Sequence, residues 1–453
     1  MSEPSNMALT TGDRKSTPWQ CTSGTGLVVI ALALMALATT RAEITGAIWM
    51  WATLGMLITG SVLYAYGTFV VKQVGEPNNG TWFAPLTSRG TWAWVFGAML
   101  TLFYVLLYWY PEMLGLGEQT NTGLVALFDP LAMLFHGSGA KASQWFMYGT
   151  LYTVLILTLG IRFIFKYRRN RYQVIRTIVL MAAQTCLAYL VPEILEGLQD
   201  GKAYFAKDIK YFWPLNYYFF EDWHLDAMRQ GGTLGMVCLV WGIIGFALLT
   251  PVLTYFLGKR WYCSWICGCG GLAETAGDSF RHLSSKSIRA WKLERWLIHG
   301  VLVYIVVVTA VVLYGYFSGS GSIAGVDIYT WFRRPYGFLI GSMFSGVIGV
   351  GFYPLLGSRV WCRFGCPMAA YMGLFQRRLS KYRITVNSGQ CISCGQCSTY
   401  CEQGIDVRWY AMRGQDVVRA SCVGCGICST VCPRGVLKLE NGPMETLQRE
   451  ART

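Results

Sequence analysis

Eight apolar stretches, near residues 25–40, 46–71, 92–110, 145–167, 174–195, 233–257, 296–317 and 336–356, restrict this chain to one kind of fold. Most approach the roughly 20 residues an α-helix needs to cross a hydrocarbon layer. Lipid offers no partner to an open backbone N–H or C=O, so such segments must satisfy their own hydrogen bonds as helices. Composition agrees: 53% of residues are hydrophobic and 14% charged, where a soluble domain carries roughly 25% charged residues. The expectation is an α-helical polytopic membrane protein of about eight transmembrane helices. The first stretch, "GLVVIALALMALATT", is short enough for a secretory signal, but "ATTRAEI" is a poor cleavage site, so it is read as a retained helix.

Lys and Arg set the orientation, because basic loops resist translocation. The segment "RFIFKYRRNRYQVIR" carries six basic residues and no acid, and the stretches that follow 257 and 356 are also basic. By contrast, 193–229 holds seven acids against four bases. This alternation predicts a multi-pass protein of a bacterial inner membrane with both termini cytoplasmic. The net charge of +14 is then a topology signal, and membrane lipid is the partner it implies. No basic patch joins a nucleic-acid fold motif, so nucleic acid is not an expected partner.

Half of the 16 cysteines fall in the C-terminal tail, as "CISCGQCSTYC" and "CVGCGICSTVCP". Each run reads C-x2-C-x2-C-x3-C, the spacing of two-cluster bacterial ferredoxins, in which the fourth thiolate of each run reaches across to the other cluster. Cys391, Cys394, Cys397 and Cys432 are accordingly assigned to one [4Fe–4S] cluster, and Cys422, Cys425, Cys428 and Cys401 to a second, in an α+β ferredoxin-like domain. Structural zinc would favour two well-separated C-x2-C pairs, and a reducing cytoplasm disfavours disulfides. One departure stands out: Glu402 follows Cys401 where Pro433 follows Cys432.

A second cysteine pattern is duplicated. "LGKRWYCSWIC" (257–267) and "LGSRVWCRFGC" (356–366) share Leu-Gly-x-Arg-x-aromatic-Cys-x3-Cys at an offset of 99, each after an apolar helix. If C-x3-C begins a helical turn, both of its thiols stand on one face. Pseudo-symmetry would then gather Cys263, Cys267, Cys362 and Cys366 at the cytoplasmic membrane boundary, as one redox-active or metal-binding site. Arg260 and Arg359 would lie one turn earlier to help hold thiolates or anionic headgroups, with Cys269 as an accessory thiol. A structural alternative reads the cysteines as small buried fillers and the arginines as snorkelling to lipid. Only 24 residues separate Cys366 from Cys391, so the tail must fold close beneath the eighth helix.

Two C-x3-C motifs after membrane helices, the second trailed by proline in "CRFGCP", followed by a two-cluster tail, resemble the membrane-bound polyferredoxins of the NosR/NapH type, which include CcoG-like proteins. The resemblance covers roughly 175–440. "FDPLAMLF" (128–135) resembles an Asp-Pro-hydrophobic segment of these families, though Asp-Pro is also a common turn opener. What the resemblance implies is electron movement between the quinone pool and periplasmic respiratory reductases, or maturation of their metal centres. The sequence departs from the pattern in its Cys-Gly-Cys first motif and in about 170 additional N-terminal residues. It shows no counterpart of the large flavin-binding domain of the NosR branch, so covalent flavin is not implied.

The resulting division is an N-terminal transmembrane region of about four helices (1–172), a repeat core of two helical hairpins each ending in C-x3-C (173–380), a cytoplasmic two-cluster domain (381–440) and a tail (441–453). Transmembrane haem wiring is not expected, because His136, His224, His282 and His299 are the only histidines and no C-x-x-C-H occurs. His299, near the start of the seventh helix, is the one histidine that could hydrogen-bond a quinone carbonyl, with helix capping or snorkelling as the commoner role of such a residue. The aromatic stretch "KYFWPLNYYFFEDWHLD" (210–226) reads as an interfacial belt, with docking of a periplasmic redox partner as the alternative. Cys21, Cys186 and Cys238 read as structural, and "SGSGSIAG" (318–325) as an outer turn.

The leading functional reading is an iron–sulfur electron-transfer protein, a quinol-linked oxidoreductase subunit. It would relay electrons between the quinone pool and a protein partner, either a periplasmic reductase or a ferredoxin-like subunit. An assembly factor that reduces or delivers copper is the second reading, since soft thiolates favour Cu(I), with an additional metal at the C-x3-C pairs. A redox-sensing membrane regulator is the third.

Overall fold

The computed structural model describes residues 17–40, 44, 46–71, 90–198, 222–230 and 232–441. The aromatic stretch at 210–221 and the tail beyond 441 lie outside the described residues. Among those described, seven helices are long and apolar enough to cross a membrane: Trp19–Ala38, Ala47–Val71, Thr91–Trp109, Gln144–Lys166, Arg171–Leu198, Gly235–Leu257 and Ile288–Ser318. They coincide with the first seven apolar stretches.

The eighth stretch departs from expectation. A helix runs over 329–348, but its first half takes in Arg333, Arg334 and Pro335, and it is mostly π-helical, over Tyr329–Arg333 and Gly337–Ile348. Two adjacent arginines dilute its hydropathy, and it is not among the seven. Among the described residues, seven helices thus meet the length and hydropathy of a span, against the about eight expected, and the eighth stretch is also helical, within a helix that carries two arginines in its first half.

The chain divides into two compact units. In the first, helices Trp19–Ala38 and Ala47–Tyr66 form a hairpin. Both are apolar all round, so close backbone approach takes the place of a hydrophobic seam. A Cβ added at Gly24 would lie 2.6 Å from the Gly60 carbonyl oxygen, and one at Gly60 would lie 2.8 Å from that of Gly24. Cys21 fills the same seam, with its Sγ 3.5 Å from Thr68 Oγ1. Asp129 of "FDPLAMLF" organises a loop: its carboxylate accepts from Asn121 Nδ2 at 2.7 Å and from the Ala142 N–H at 2.8 Å.

The second unit takes in helix Thr91–Trp109, most of Arg171–Leu198, and the chain from 222 onward. Helix Thr91–Trp109 packs on Gly337–Ile348 and Tyr353–Leu356, with Tyr104 and Tyr108 over Gly346. Helix Ile288–Ser318 ends at Gly319 in the left-handed conformation. A short hairpin, Ser322–Ile323 with Val326–Asp327, follows in the Gly-Ser run.

The cysteine-rich tail is built on one antiparallel pair, Tyr382–Val386 with Leu437–Asn441, in register Tyr382↔Asn441 to Val386↔Leu437. Alternation on these strands sends Ile384, Val386 and Leu437 into a small core with Ile405, Val407, Val417 and Val436. That core also holds Cys397, Cys422 and Cys428. Each cysteine run turns into a one-turn helix, Gln396–Thr399 or Ile427–Thr430.

Candidate functional site

Two hollows open in the tail. One is lined by Cys391, Cys394, Cys397 and Cys432, the other by Cys401, Cys422, Cys425 and Cys428. Burial pushes the Cys397 thiol up to about 12 and the Cys422 thiol up to about 11, and it raises Cys428 as well. Burial keeps such thiols protonated until a cationic centre compensates the charge of the thiolate, which is the behaviour of a metal or cluster ligand. Four sulfurs around each hollow fit an iron–sulfur cluster.

The duplicated pattern forms two closely matched backbone turns. In each, a one-turn helix ends near the first cysteine (Arg260–Cys263; Val360–Phe364), and the second cysteine caps the next helix (Gly268–Thr275; Pro367–Arg378). The Cys267 N–H returns to the Tyr262 carbonyl at 2.8 Å, and the Cys366 N–H to that of Trp361 at 3.0 Å. The expectation that C-x3-C opens a single helical turn is thus corrected. The second cysteine is in extended conformation, φ −63° at Cys267 and −81° at Cys366, between two helices. The glycine of each Leu-Gly step makes this turn possible. Gly258 has φ +67° and ψ −178°, and Gly357 φ +95° and ψ 171°, a region essentially reserved for glycine.

These turns bring the repeat thiols within electrostatic reach of one another. Cys263 feels Cys267 and Cys362; Cys366 feels Cys362, Cys267 and Cys263; Cys269 feels Cys267, Cys362 and Cys366. Burial pushes Cys263 up to about 12 and raises Cys362 and Cys366. Cys267 is the exception, lowered to about 7, first by a hydrogen bond from the Cys269 thiol. The first loop is not at the end of its neighbouring helix. The Ile266 carbonyl accepts from Gln184 Nε2, and Leu180 packs on Gly271. Gln184 lies about 20 Å along helix Arg171–Leu198 at 1.5 Å per residue. The helix there has π geometry, over Ala183–Leu190, a distortion frequent at functional positions.

The two repeat arginines differ in role: Arg359 stands beside a thiol as expected, and Arg260 does not. Arg359 is buried, with Nη1 3.6 Å from Cys362 Sγ and 3.3 Å from the Cys263 carbonyl oxygen. Its Nη2 contacts Glu274 at 2.6 Å and Glu402 at 2.9 Å. Arg260 serves neither thiol: its guanidinium lies 4.3 Å from the centroid of the Tyr382 ring, on the first strand of the tail. The buried chain continues beyond Glu402. Arg281 Nη2 is 3.4 Å from its carboxylate, and Arg281 Nε is 3.0 Å from Asp278. Ser284 Oγ donates to the Glu402 carbonyl at 2.7 Å. Glu402 therefore stands in the proline position because its carboxylate ties the tail into the repeat core. Further contacts reinforce that junction: Ser264 Oγ donates to Val423 O at 2.8 Å, and the Lys259 N–H donates to Gln376 Oε1 at 2.6 Å.

Sequence reasoning did not single out Glu274, Asp278, Arg281 or Arg363. A signal was present. The loop 258–295 is basic except for Glu274, Asp278 and Glu294, and each of these pairs with a buried arginine, Arg359, Arg281 and Arg363 respectively. His299 joins Cys362, Lys259, Arg363 and Tyr410 around a cavity of about 230 Å³. Cys186 is exposed and Cys238 partly so.

Comparison with known families and proteins matches these regions. Residues 384–439 match a 4Fe-4S dicluster domain, and residues 239–288 and 339–385, the two segments that carry the repeat cysteines, each match a 4Fe-4S binding domain. YccM of Escherichia coli (strain K12), provisionally named an electron transport protein, is 30% identical over 172 residues, 35% of this chain and 46% of that protein. The methylamine utilization ferredoxin-type protein MauN of Paracoccus denitrificans (strain Pd 1222) is 30% identical over 165 residues, 35% of this chain and 53% of its own length. The chain thus spans about half the length of the curated relatives it matches. No solved structure matches. The chain is a helical membrane protein that carries two [4Fe–4S] clusters on a ferredoxin-type domain.

Proposed function

We propose that the protein is a membrane electron-transfer protein that relays electrons between the quinone pool and a protein redox partner, with its termini and clusters on the cytoplasmic side. In this reading Cys391, Cys394, Cys397 and Cys432 hold one cluster, and Cys401, Cys422, Cys425 and Cys428 the other. Bound clusters supply reversible one-electron chemistry. The observation that carries the reading is the buried chain from Cys401 through Glu402 and Arg359 to Cys362, which joins a cluster-binding run to the repeat thiols without a solvent gap. Arg359 offsets negative charge on the thiols and fixes the second loop against the first. The cavity beside Cys362, with His299 on its wall, is suited to a quinone headgroup that hydrogen-bonds to the imidazole.

A single tetrahedral metal with bonds of about 2.3 Å would draw four sulfurs to within about 3.8 Å of one another. Among the described residues, no cysteine set has its sulfurs all within 4.8 Å. That favours a multinuclear or thiol-redox role for Cys263, Cys267, Cys362 and Cys366 over one tetrahedrally held ion.

The test is quinol-driven reduction of purified, cluster-replete protein. Cys362→Ser/Cys366→Ser protein should keep both tail clusters, read by iron content and visible absorbance, and no longer be reduced by a quinol analogue. Full reduction by quinol in that variant would make the repeat thiols structural and remove the relay reading.

A further inference from the structure

Away from the cysteines, one cluster of side chains has the geometry of a metal site. Ligand atoms of His136, Glu193 and Glu196 all lie within 4.8 Å of one another, and each residue is partly buried. His136 Nε2 is 3.1 Å from Glu193 Oε2. We propose that these three residues bind a first-row divalent cation.

Two helices build the cluster. Glu193 and Glu196 stand on Val191–Leu198 at i,i+3, so their carboxylates share one face. His136 is the last residue of Asp129–His136. A Cβ at Gly197 would lie 2.0 Å from the Phe135 carbonyl oxygen, so only glycine lets the two backbones meet there. The Phe135 ring meets Tyr189 edge-on with centroids 6.1 Å apart, one turn before Glu193. Backbone contact and ring contact together seat the imidazole over the two carboxylates.

The donor set defines the ligand class. Two carboxylates face one imidazole, and a divalent ion supplies the positive charge that the imidazole alone does not. One nitrogen and two carboxylate donors suit Zn²⁺, Fe²⁺ or Mn²⁺, whereas Cu(I) selects thiolates and Ca²⁺ collects six to eight oxygens. Three protein ligands leave further positions for water or another small ligand. The site is separate from the thiols: Glu193 lies nine residues beyond Gln184 on the same helix, about 13 Å along its axis.

Mn²⁺ is the discriminating probe, because it prefers oxygen and nitrogen donors and leaves thiols and clusters alone. Cluster-replete protein in detergent is titrated with Mn²⁺, with free ion read by electron paramagnetic resonance, and Zn²⁺ is then added as competitor. The expected result is one bound Mn²⁺ per chain, displaced by Zn²⁺. Affinity should fall at least about tenfold in His136→Ala and in the milder Glu196→Gln. Unchanged cluster absorbance in either variant shows that it is folded. Failure of the wild-type protein to bind Mn²⁺, or equal binding by a folded variant, overturns the assignment.

Discussion

The two cysteine loops share one backbone and have parted in their side chains. Both turn at a glycine that only glycine tolerates, and both return the N–H of the second cysteine to an aromatic carbonyl five residues back. Their matching arginines do different work. Arg359 is sealed among Glu274, Glu402 and Cys362, while Arg260 covers a tyrosine at the edge of the ferredoxin-type domain. The difference teaches that the duplicated property is the placement of sulfur, which the backbone sets. Charge was not duplicated, because Arg359 serves both loops: it reaches the Cys263 carbonyl as well as its own Cys362. The first loop's arginine was thereby released to hold the tail.

The largest test of this asymmetry removes each cation. Arg359→Met leaves Glu274 and Glu402 buried beside each other, and loss of one partner from a buried ion pair costs about 3–5 kcal/mol. Arg260→Met removes a partly exposed cation–π contact of about 0.5–1 kcal/mol. Thermal unfolding in detergent, followed by loss of cluster absorbance, should show a much lower midpoint for the first variant and a small shift for the second. Equal shifts would mean that the two arginines are equivalent after all.

Glycine replacement should produce the opposite pattern, symmetry. Alanine at Gly357 would be forced into a strained backbone and against Ser284 Oγ, 2.3 Å from its Cβ; at Gly258 it would meet Tyr382 Cδ1 at 2.6 Å. Strain in this region costs about 1–3 kcal/mol per residue. Gly258→Ala and Gly357→Ala should therefore lower the unfolding midpoint by similar amounts, each less than Arg359→Met. A neutral effect at either position would break the claim that the turn itself is the duplicated object.

What the sequence disclosed follows the range of the forces involved. The spans were legible because lipid imposes a length and an apolar composition on each segment locally. The paired hollows of the tail follow from cysteine spacing, since three closely spaced thiolates of each run wrap one centre and the fourth reaches across to the other. The helix break inside the second C-x3-C was also locally encoded, for Pro367 directly after Cys366 is the mark of a first helical position. The ion-pair chain was not, because Arg281 and Glu402 meet across 121 residues and Arg359 and Glu274 across 85, with no shared periodicity. Arg260 and Arg359 occupy matching positions in the pattern, so their divergence depended entirely on tertiary neighbours. The eighth stretch, 336–356, was legible as helix up to Ile348, while the extension of that helix back through Arg333, Arg334 and Pro335 was not, because charge and proline mark a boundary in sequence.

The smallest effect separates the second cysteines of the two loops. Cys267 is held at about 7, by the Cys269 thiol first and then by the Gly270 N–H and Arg359 against the opposing effect of burial. Cys366 has no counterpart of Cys269, since Met368 stands there, and burial raises it well above the ordinary thiol value. In metal-free protein, alkylation at Cys267 should rise through pH 7 and level off as the thiolate fills, while Cys366 stays slow to pH 9 and beyond. At pH 7 an ordinary thiol near 8.5 is only a few per cent ionised, so Cys267 should react about tenfold faster than an unperturbed cysteine. The sign for stability follows. A thiol lowered in the folded state contributes stabilisation that is fully present above its unfolded value near 8.5 and is lost as pH falls through 7. Cys269→Ala should move the Cys267 midpoint upward, and Cys269→Ser, which keeps a donor, should move it less. Mass-spectrometric labelling that gives Cys267 and Cys366 the same midpoint would leave the arginines as the only distinction between the loops.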